Sequence, residues 1–268
     1  MVTALAGEAG FETFEETADG VTGYVQTSLF DRAVLDAVLS AFPLPAAISY
    51  DVTEAEQRDW NEQWEQEGFA PIVIGTDMLV HDGRHLGASA PGAYRYAIEI
   101  DPRMAFGTGT HETTRLMLSA LLGTDLTGRR LLDCGCGTGI LAIAALKMGA
   151  REATAYDIDE WSTDNARHNA VINGVDDRLD VRLGDARVLG EVEGTFDVVA
   201  ANINRNILLA DMPAFERMLS DSGLLLLSGF YTADIPMLRE KAESLGLTVT
   251  DEHGDHGWAC MHIRRQPA

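Results

Sequence analysis

Cysteine and long apolar runs are scarce in this chain of 268 residues. The three cysteines form a small, odd-numbered set, which excludes a disulfide-rich scaffold and fits a reducing compartment. No run of about 18 consecutive apolar residues occurs, so a membrane-spanning helix is not expected. The first residues also lack the basic start and apolar centre of a signal peptide. These absences predict a cytoplasmic protein that does not bind membranes.

Basic residues, lysines above all, are the second shortage. Lysine occurs only at Lys147 and Lys241, and the formal net charge is −22. Such a chain repels the phosphate backbone of nucleic acids unless it holds a basic patch, and the sequence shows none, so direct nucleic acid binding is not expected. The acidity suits a basic protein partner. It suits a salty cytoplasm equally well, because acidic, lysine-poor surfaces stay soluble there.

The pattern of residues 1–67 predicts a small α+β domain. An Asp19-Gly20 pair between two alternating segments is typical of a hairpin turn, and apolar residues at helical spacing follow it. In the last predicted helix, Glu54–Glu67, the spacing places Trp60 and Trp64 on one face, where they would form either a buried pair or a partner-binding face. The predicted elements are strands Gly10–Glu16 and Val21–Thr27, helix Asp31–Ala41, strand Ile48–Val52 and helix Glu54–Glu67.

The remainder of the chain changes pattern twice. Residues 68–105 hold short strands and are predicted to form a connector. From about Thr110, helices and strands alternate, which predicts that 106–268 folds around a parallel, doubly wound α/β sheet with ligands at the strand carboxyl ends. The predicted helices of 106–268 are Thr113–Leu122, Ile140–Met148, Glu160–Ile172, Ile207–Leu219 and Ile235–Leu245. Its predicted strands are Arg130–Cys134, Glu152–Asp157, Leu179–Leu183, Phe196–Ala200, Leu224–Ser228, Thr248–Glu252 and Ala259–Ile263.

A glycine loop is the most informative motif. The apolar strand that ends at Cys134 runs into Gly135, Gly137 and Gly139, and an alanine-rich helix follows directly. A second apolar strand ends in Asp157, about 20 residues further on. A strand, a tight turn, a helix and a second strand that ends in a carboxylate form the unit that binds the adenosine part of a cofactor.

The glycine spacing favours one cofactor class. Dinucleotide sites use Gly-x-Gly-x-x-Gly, whereas this loop is Gly-x-Gly-x-Gly, and its tighter turn suits a ligand without a pyrophosphate. Asp133, just before the loop, is placed to sit near an ammonium group of the ligand. These features favour S-adenosyl-L-methionine over a nicotinamide or flavin dinucleotide.

Asp157 is then predicted to accept hydrogen bonds from both ribose hydroxyls. Its alternative role is to cap the helix that follows, although Asp159 could fill that role instead.

Two further stretches contain candidate site residues. Asn202 follows a predicted strand and is expected at the mouth of the pocket, where its amide can orient an amine nucleophile or simply satisfy its own loop backbone. The segment 106–114 is rich in glycine and threonine and is expected to close over the cofactor or to cap a helix. His111 within it is a candidate base, although an isolated histidine is more often structural.

The cysteines do not predict a metal site. Cys134 and Cys136 are separated by a single residue inside the glycine turn, and no second ligand pair follows at the spacing of a metal centre. We interpret them as small side chains beneath the loop. The sequence therefore predicts no metal.

The segments 106–114, 132–150 and 156–159, together with Ala201-Asn202-Ile203, closely resemble the bacterial large-subunit ribosomal protein L11 methyltransferase family. The resemblance covers nearly the whole chain. It implies a class I fold dependent on S-adenosyl-L-methionine for 106–268 and a ferredoxin-like recognition module before it. It also implies that Thr114, Gly135, Asp157 and Asn202 bind the cofactor, with Gly137 in the same loop.

The family's reaction follows as a further implication. Methyl groups are expected to go to lysine ε-amines and the N-terminal α-amine of ribosomal protein L11. The alternatives are an N-methyltransferase that acts on another protein or a small amine, and a nucleotide-binding scaffold without turnover. Residues 1–9 resemble only the end of the family's first helix, so the recognition module is expected to be truncated at its N-terminus.

Overall fold

The computed structural model of the protein describes residues 2, 6, 7, 9–11, 13–17, 20–25, 30–40, 42, 48–53, 68–87, 90–102 and 107–265. The chain forms two compact units, residues 1–58 and 59–268. The second unit thus begins slightly before the domain boundary predicted after residue 67. No helix within these described ranges is long and apolar enough to cross a bilayer.

The first unit contains a hairpin and a helix. Strands β1 (Thr13–Thr17) and β2 (Gly20–Tyr24) pair in antiparallel fashion. Helix α1 (Arg32–Ser40) follows, and Asp31 Oδ1 accepts a hydrogen bond of 2.8 Å from the backbone N–H of Ala33 at its start. The sequence predicts all three elements, because the turn chemistry and the helical spacing are local signals.

The strand predicted over Ile48–Val52 is wrong. Residues 48–53 have no regular secondary structure, and no described strand pairs with them. A run of five residues gives too little alternation to identify a strand without a pairing partner. The predicted helix Glu54–Glu67, with Trp60 and Trp64, lies outside the described residues.

The second unit is built on a seven-stranded sheet with the order β8-β7-β6-β9-β10-β12-β11. All neighbouring strands are parallel except β12, which is antiparallel to both β10 and β11. The predicted doubly wound α/β sheet is thereby confirmed. Its elements are α2 (Glu112–Leu122), β6 (Arg130–Cys134), α3 (Ile140–Lys147), β7 (Glu152–Asp157), α4 (Glu160–Ile172), β8 (Leu179–Leu183), β9 (Phe196–Asn202), α5 (Arg205–Met218), β10 (Leu219–Tyr231), α6 (Ile235–Ser244), β11 (Leu247–Asp255) and β12 (Trp258–Arg265).

Both faces of this sheet are covered by helices. Side chains alternate along a strand, so Leu131 of β6 points into a core with α2, α3 and α4, while Leu132 points into a second core with α5 and α6. Both leucines are fully buried. Burial on both faces explains why the central strands are continuous apolar runs in the sequence.

Residues 68–102, predicted as a connector, contribute to the core of the second unit. They form a three-stranded sheet of β3 (Ile72–Ile74), β4 (Met78–His81) and β5 (Tyr96–Glu99). Buried side chains from this small sheet belong to the same core as α2 and α3. Two side-chain amides, Asn169 in α4 and Asn173 at its C-cap, also hold the segment, because the Oδ1 of each accepts a backbone N–H of it at 3.0 Å.

Candidate active site

The glycine loop links β6 to α3 and owes its shape to three left-handed residues. Gly135, Gly137 and Gly139 have φ angles of 71°, 51° and 79°, which glycine adopts at little steric cost. The backbone N–H groups of Gly135 and Cys136 both donate to the carbonyl oxygen of Tyr156, at 2.9 and 3.0 Å. The loop is therefore fastened to the end of β7, next to Asp157.

Two of these glycines also allow close approaches. A Cβ atom on Gly135 would lie 2.3 Å from Cγ2 of Ile203. A Cβ atom on Gly139 would lie 3.0 Å from Cβ and 3.2 Å from Cα of Ala166. The first contact brings the loop against the residue that follows Asn202, and the second seats the start of α3 directly on α4.

Replacing Gly139 with Ala is expected to lower the free energy of unfolding by roughly 2–5 kcal/mol. A left-handed conformation costs an L-residue about 1–2 kcal/mol, and the contact with the α4 backbone adds overpacking of about 1–3 kcal/mol. Urea unfolding measures the change. Gly190→Ala is the matched control, because its Cβ would meet nothing within 4 Å. Equal stability of the two variants would contradict the close approach.

Asp157 lies at the end of β7, and each of its carboxylate oxygens accepts one hydrogen bond from the protein backbone. Its Oδ2 accepts the backbone N–H of Gly137 at 2.9 Å, and its Oδ1 accepts that of Asp159 at 3.1 Å. A carboxylate oxygen accepts two hydrogen bonds, so each retains capacity for a ribose hydroxyl. The alternative role as helix cap belongs to Asp159, whose Oδ2 accepts the N–H of Ser162 at 3.1 Å.

Asp133 makes a different contact from the one the sequence suggests. Its carboxyl group is almost fully buried, and Oδ2 accepts the backbone N–H of Ala142 in the first turn of α3 at 3.1 Å. It thus ties β6 to α3 by satisfying an otherwise unpaired helical N–H. Burial raises the pKa of the Asp133 carboxyl to about 7, and the charge of Asp157 adds to the rise.

This raised pKa predicts a pH-dependent stability. Between about pH 4 and pH 7 the folded chain keeps a proton on Asp133 that the unfolded chain has lost, so the contribution of this group to the free energy of unfolding falls as the pH rises. We expect the free energy of unfolding of Asp133→Asn to rise relative to that of the wild type by about 1.4 kcal/mol per pH unit across that window. Urea unfolding at pH 5, 6 and 8 measures the difference. A difference independent of pH would refute it.

Asn202 ends β9 and reaches Thr114 at the start of α2. Its Nδ2 donates to Thr114 Oγ1 at 3.4 Å. Its Oδ1 is buried and has no hydrogen-bond partner among the described residues. An unpaired buried carbonyl oxygen destabilises a folded chain by about 1–3 kcal/mol. This oxygen is therefore a candidate acceptor for a donor that the substrate supplies.

Gly229 lies against the backbone of Ile203, the residue after Asn202, and was not among the residues predicted from the sequence. With φ at 91°, a Cβ on Gly229 would lie 2.4 Å from the carbonyl oxygen of Ile203. The Ile203 N–H also donates to the Ser228 carbonyl at 3.2 Å. The available signal was a glycine inside an apolar strand, which marks the close approach of another backbone.

The segment 107–114 meets the glycine loop, while Phe106 lies outside the described residues. The hydroxyl of Thr138 donates to the carbonyl oxygen of Gly107 at 2.6 Å. His111 caps α2, since its Nδ1 accepts the Thr113 N–H at 3.3 Å. The geometry thus gives His111 a structural role, and its ring packs edge-on against Trp258 with centroids 4.8 Å apart.

Most of the predicted site residues meet at one edge of the sheet. Gly137 is bonded to Asp157 and Asn202 to Thr114, and Gly135 approaches Ile203 next to Asn202. These contacts lie where β6, β7 and β9 end, and the carboxyl edge of a doubly wound sheet is where such folds bind ligands.

Comparison with known proteins decides the family. Residues 7–266 match the family described as "Ribosomal protein L11 methyltransferase (PrmA)". The chain belongs to the ribosomal protein L11 methyltransferase family. Ribosomal protein L11 methyltransferases from Phocaeicola vulgatus and Bacteroides fragilis are 46% and 48% identical to it over 262 residues, which is 97% of this chain and 92% of each relative.

A solved structure supports the same family. The ribosomal protein L11 methylase of Lactobacillus delbrueckii subsp. bulgaricus matches with a TM-score of 0.67 and 26% identity, over 74% of this chain and 100% of that one. The class I methyltransferase fold that the sequence predicts is confirmed.

In this member of the ribosomal protein L11 methyltransferase family, Cys134 and Cys136 are free and buried, and burial raises the pKa of both thiols, which keeps them neutral.

Proposed function

We propose that this chain transfers methyl groups from S-adenosyl-L-methionine to amines of ribosomal protein L11, namely lysine ε-amines and the N-terminal α-amine. The names of its relatives give that protein as their target, and the sequence resemblance implies the amines. The structural observation that supports an amine substrate most directly is the buried Asn202 Oδ1, which lacks a partner among the described residues. A ribosomal substrate also agrees with the cytoplasmic location predicted from the sequence.

The residues at the sheet edge fit this cofactor. The remaining acceptor capacity of Asp157 suits two vicinal ribose hydroxyls, and the side-chain-free backbone at Gly135 and Gly137 lets a ligand approach closely. When bound, S-adenosyl-L-methionine supplies a methyl group that its positively charged sulfur has already activated. The chain therefore needs to hold the nucleoside and align the amine, and alignment alone contributes much of the rate in such reactions.

The amine must arrive without its extra proton. A free lysine has a pKa near 10.4, so far less than one per cent of it is neutral at pH 7, and desolvation in the pocket favours the neutral form. Asn202 Oδ1 would then accept one amine N–H and orient the nitrogen lone pair toward the cofactor held by Asp157 and the glycine loop. The cofactor would supply the methyl group, and the proton that the amine gives up would pass to water.

Methyl transfer from labelled S-adenosyl-L-methionine to whole ribosomal proteins tests the proposal. We expect label on one ribosomal protein of the large subunit, with the modified amines identified by mass spectrometry of its peptides. Label on small amines only would favour the alternative small-molecule N-methyltransferase, and label on a different protein would favour another protein substrate. Cofactor binding without any label would leave only the scaffold alternative. Each of these three outcomes overturns the proposal.

A further inference from the structure

Three side chains that methyl transfer does not use converge on the hairpin of β11 and β12. Asp251 lies directly opposite His262 in the antiparallel register, and His253 follows Asp251 by two residues on the same strand. Residues two apart on a strand share a face, as do directly opposed residues on neighbouring strands. One carboxylate and two imidazoles therefore project from the same face of the sheet, with β11 as its edge strand.

Their donor atoms lie close to the separations found in a ligand set. Asp251 Oδ2 lies 3.1 Å from His253 Nε2, and the rings of His253 and His262 have centroids 5.1 Å apart. One donor atom from each of the three side chains lies within 4.8 Å of the others. A zinc ion binds nitrogen and oxygen at about 2.0–2.2 Å, so its ligands lie at most about 4.4 Å apart. Small side-chain rotations close that gap, because Asp251 and His253 are exposed.

One atom in the cluster is unexplained by the fold. His262 Nε2 is buried and has no hydrogen-bond partner in the described part of the chain. The contact between Asp251 and His253 is an ordinary surface ion pair and leaves this nitrogen unsatisfied. A cation held by all three side chains would use it, since a ring nitrogen is among the commonest protein ligands of transition metals.

We propose that Asp251, His253 and His262 bind a divalent transition-metal ion of the zinc type, with water completing the coordination. Two imidazoles and a carboxylate are ligands that Zn²⁺ accepts, and imidazole favours such ions over Mg²⁺ or Ca²⁺. The ion would join the edge strand β11 to β12. The sequence prediction weighed only cysteines as ligands and so passed over an Asp-x-His pair on one strand with a histidine on the next.

Titration of the whole chain with Co²⁺ and Zn²⁺ tests the site. We expect one ion per chain, visible absorption bands of histidine-bound Co²⁺, displacement of Co²⁺ by Zn²⁺, and a higher unfolding temperature in Zn²⁺. His253→Gln and His262→Gln should each weaken Zn²⁺ binding by at least 10-fold. His256→Gln should bind like the wild type, because His256 is an exposed histidine at the turn of the same hairpin and is not part of the cluster.

The outcomes separate this site from other metal ligands. Zn²⁺ binding that survives in both His253→Gln and His262→Gln would overturn the proposal, because the ion would then sit elsewhere, for example on a thiol. The absence of one-to-one binding by the wild type would overturn it too. Should His262→Gln fail to fold, the exposed variants His253→Gln and Asp251→Asn carry the same test.

Discussion

Replacing Asp157 with Ala is expected to weaken the binding of S-adenosyl-L-methionine at least about 100-fold. In the proposed function the Asp157 carboxylate accepts hydrogen bonds from two ribose hydroxyls, and each hydrogen bond to a charged acceptor contributes roughly 1.5–3 kcal/mol. Loss of both therefore costs at least the roughly 2.8 kcal/mol that corresponds to a 100-fold change. It also leaves the Gly137 N–H without its partner, so the glycine loop itself loosens. Isothermal titration calorimetry measures the affinity.

Two variants make this result specific. Asp157→Asn keeps the shape of the side chain and one acceptor oxygen, and we expect it to fall between the wild type and Asp157→Ala. Asp164→Ala removes an exposed carboxylate from α4, the helix that begins just after Asp157, and should leave the affinity unchanged. If Asp157→Ala bound the cofactor as tightly as Asp164→Ala does, the ribose role would be rejected.

Replacing Asn202 with Ala is expected to reduce kcat for methyl transfer about 100-fold at saturating cofactor. The change deletes the acceptor that we propose orients the amine, and loss of one positioning or stabilising group in an active site lowers kcat by roughly 10²–10³. Removal of the buried, unpaired oxygen stabilises the fold, whereas loss of the hydrogen bond from Asn202 Nδ2 to Thr114 destabilises it, so the free energy of unfolding should change little. Single-turnover kinetics and urea unfolding measure the two effects.

The matched control for this change is nearby. Asn206 is an exposed amide at the start of α5, and Asn206→Ala should turn over like the wild type. Asn202→Asp keeps an acceptor oxygen and should recover part of the activity that Asn202→Ala loses. Wild-type kcat in Asn202→Ala would show that the orphan oxygen does not contact the amine.

Much of the second unit could be predicted because its signals are local. Strands β6, β7 and β8 and helix α4 have the predicted bounds, since each is an apolar or periodic run closed by glycine, aspartate or a cap. Strand β10 is much longer than the predicted Leu224–Ser228. Its ends pass through Asp221 and Gly229, which weaken the strand signal in the sequence, and both positions fall where the pairing register with the neighbouring strands shifts.

The contacts within the site depend on close approaches between residues that are far apart in the sequence, and the spacing of motifs does not reveal these. The glycine pattern and the strand-ending positions pointed to Asp157 and Asn202 without giving their partners. A glycine within a strand marks the approach of another backbone but does not show that this backbone is that of Ile203, which follows the end of β9 while Gly229 lies in β10. The bond from Asp133 to α3 was equally hidden, since a carboxylate before a nucleotide loop has two neighbours, the ligand and the helix.

The two asparagines that hold residues 68–102 to α4 have a consequence for protein engineering. Asn169 and Asn173 bond to the backbone of Asp101 and Glu99, and the short sheet before them fills one side of the main core. A chimaera that joins a foreign N-terminal domain to this chain must therefore splice before residue 68. A graft made after residue 102 would discard part of the interior of the second unit and leave the buried Asn169 and the half-buried Asn173 without these backbone partners.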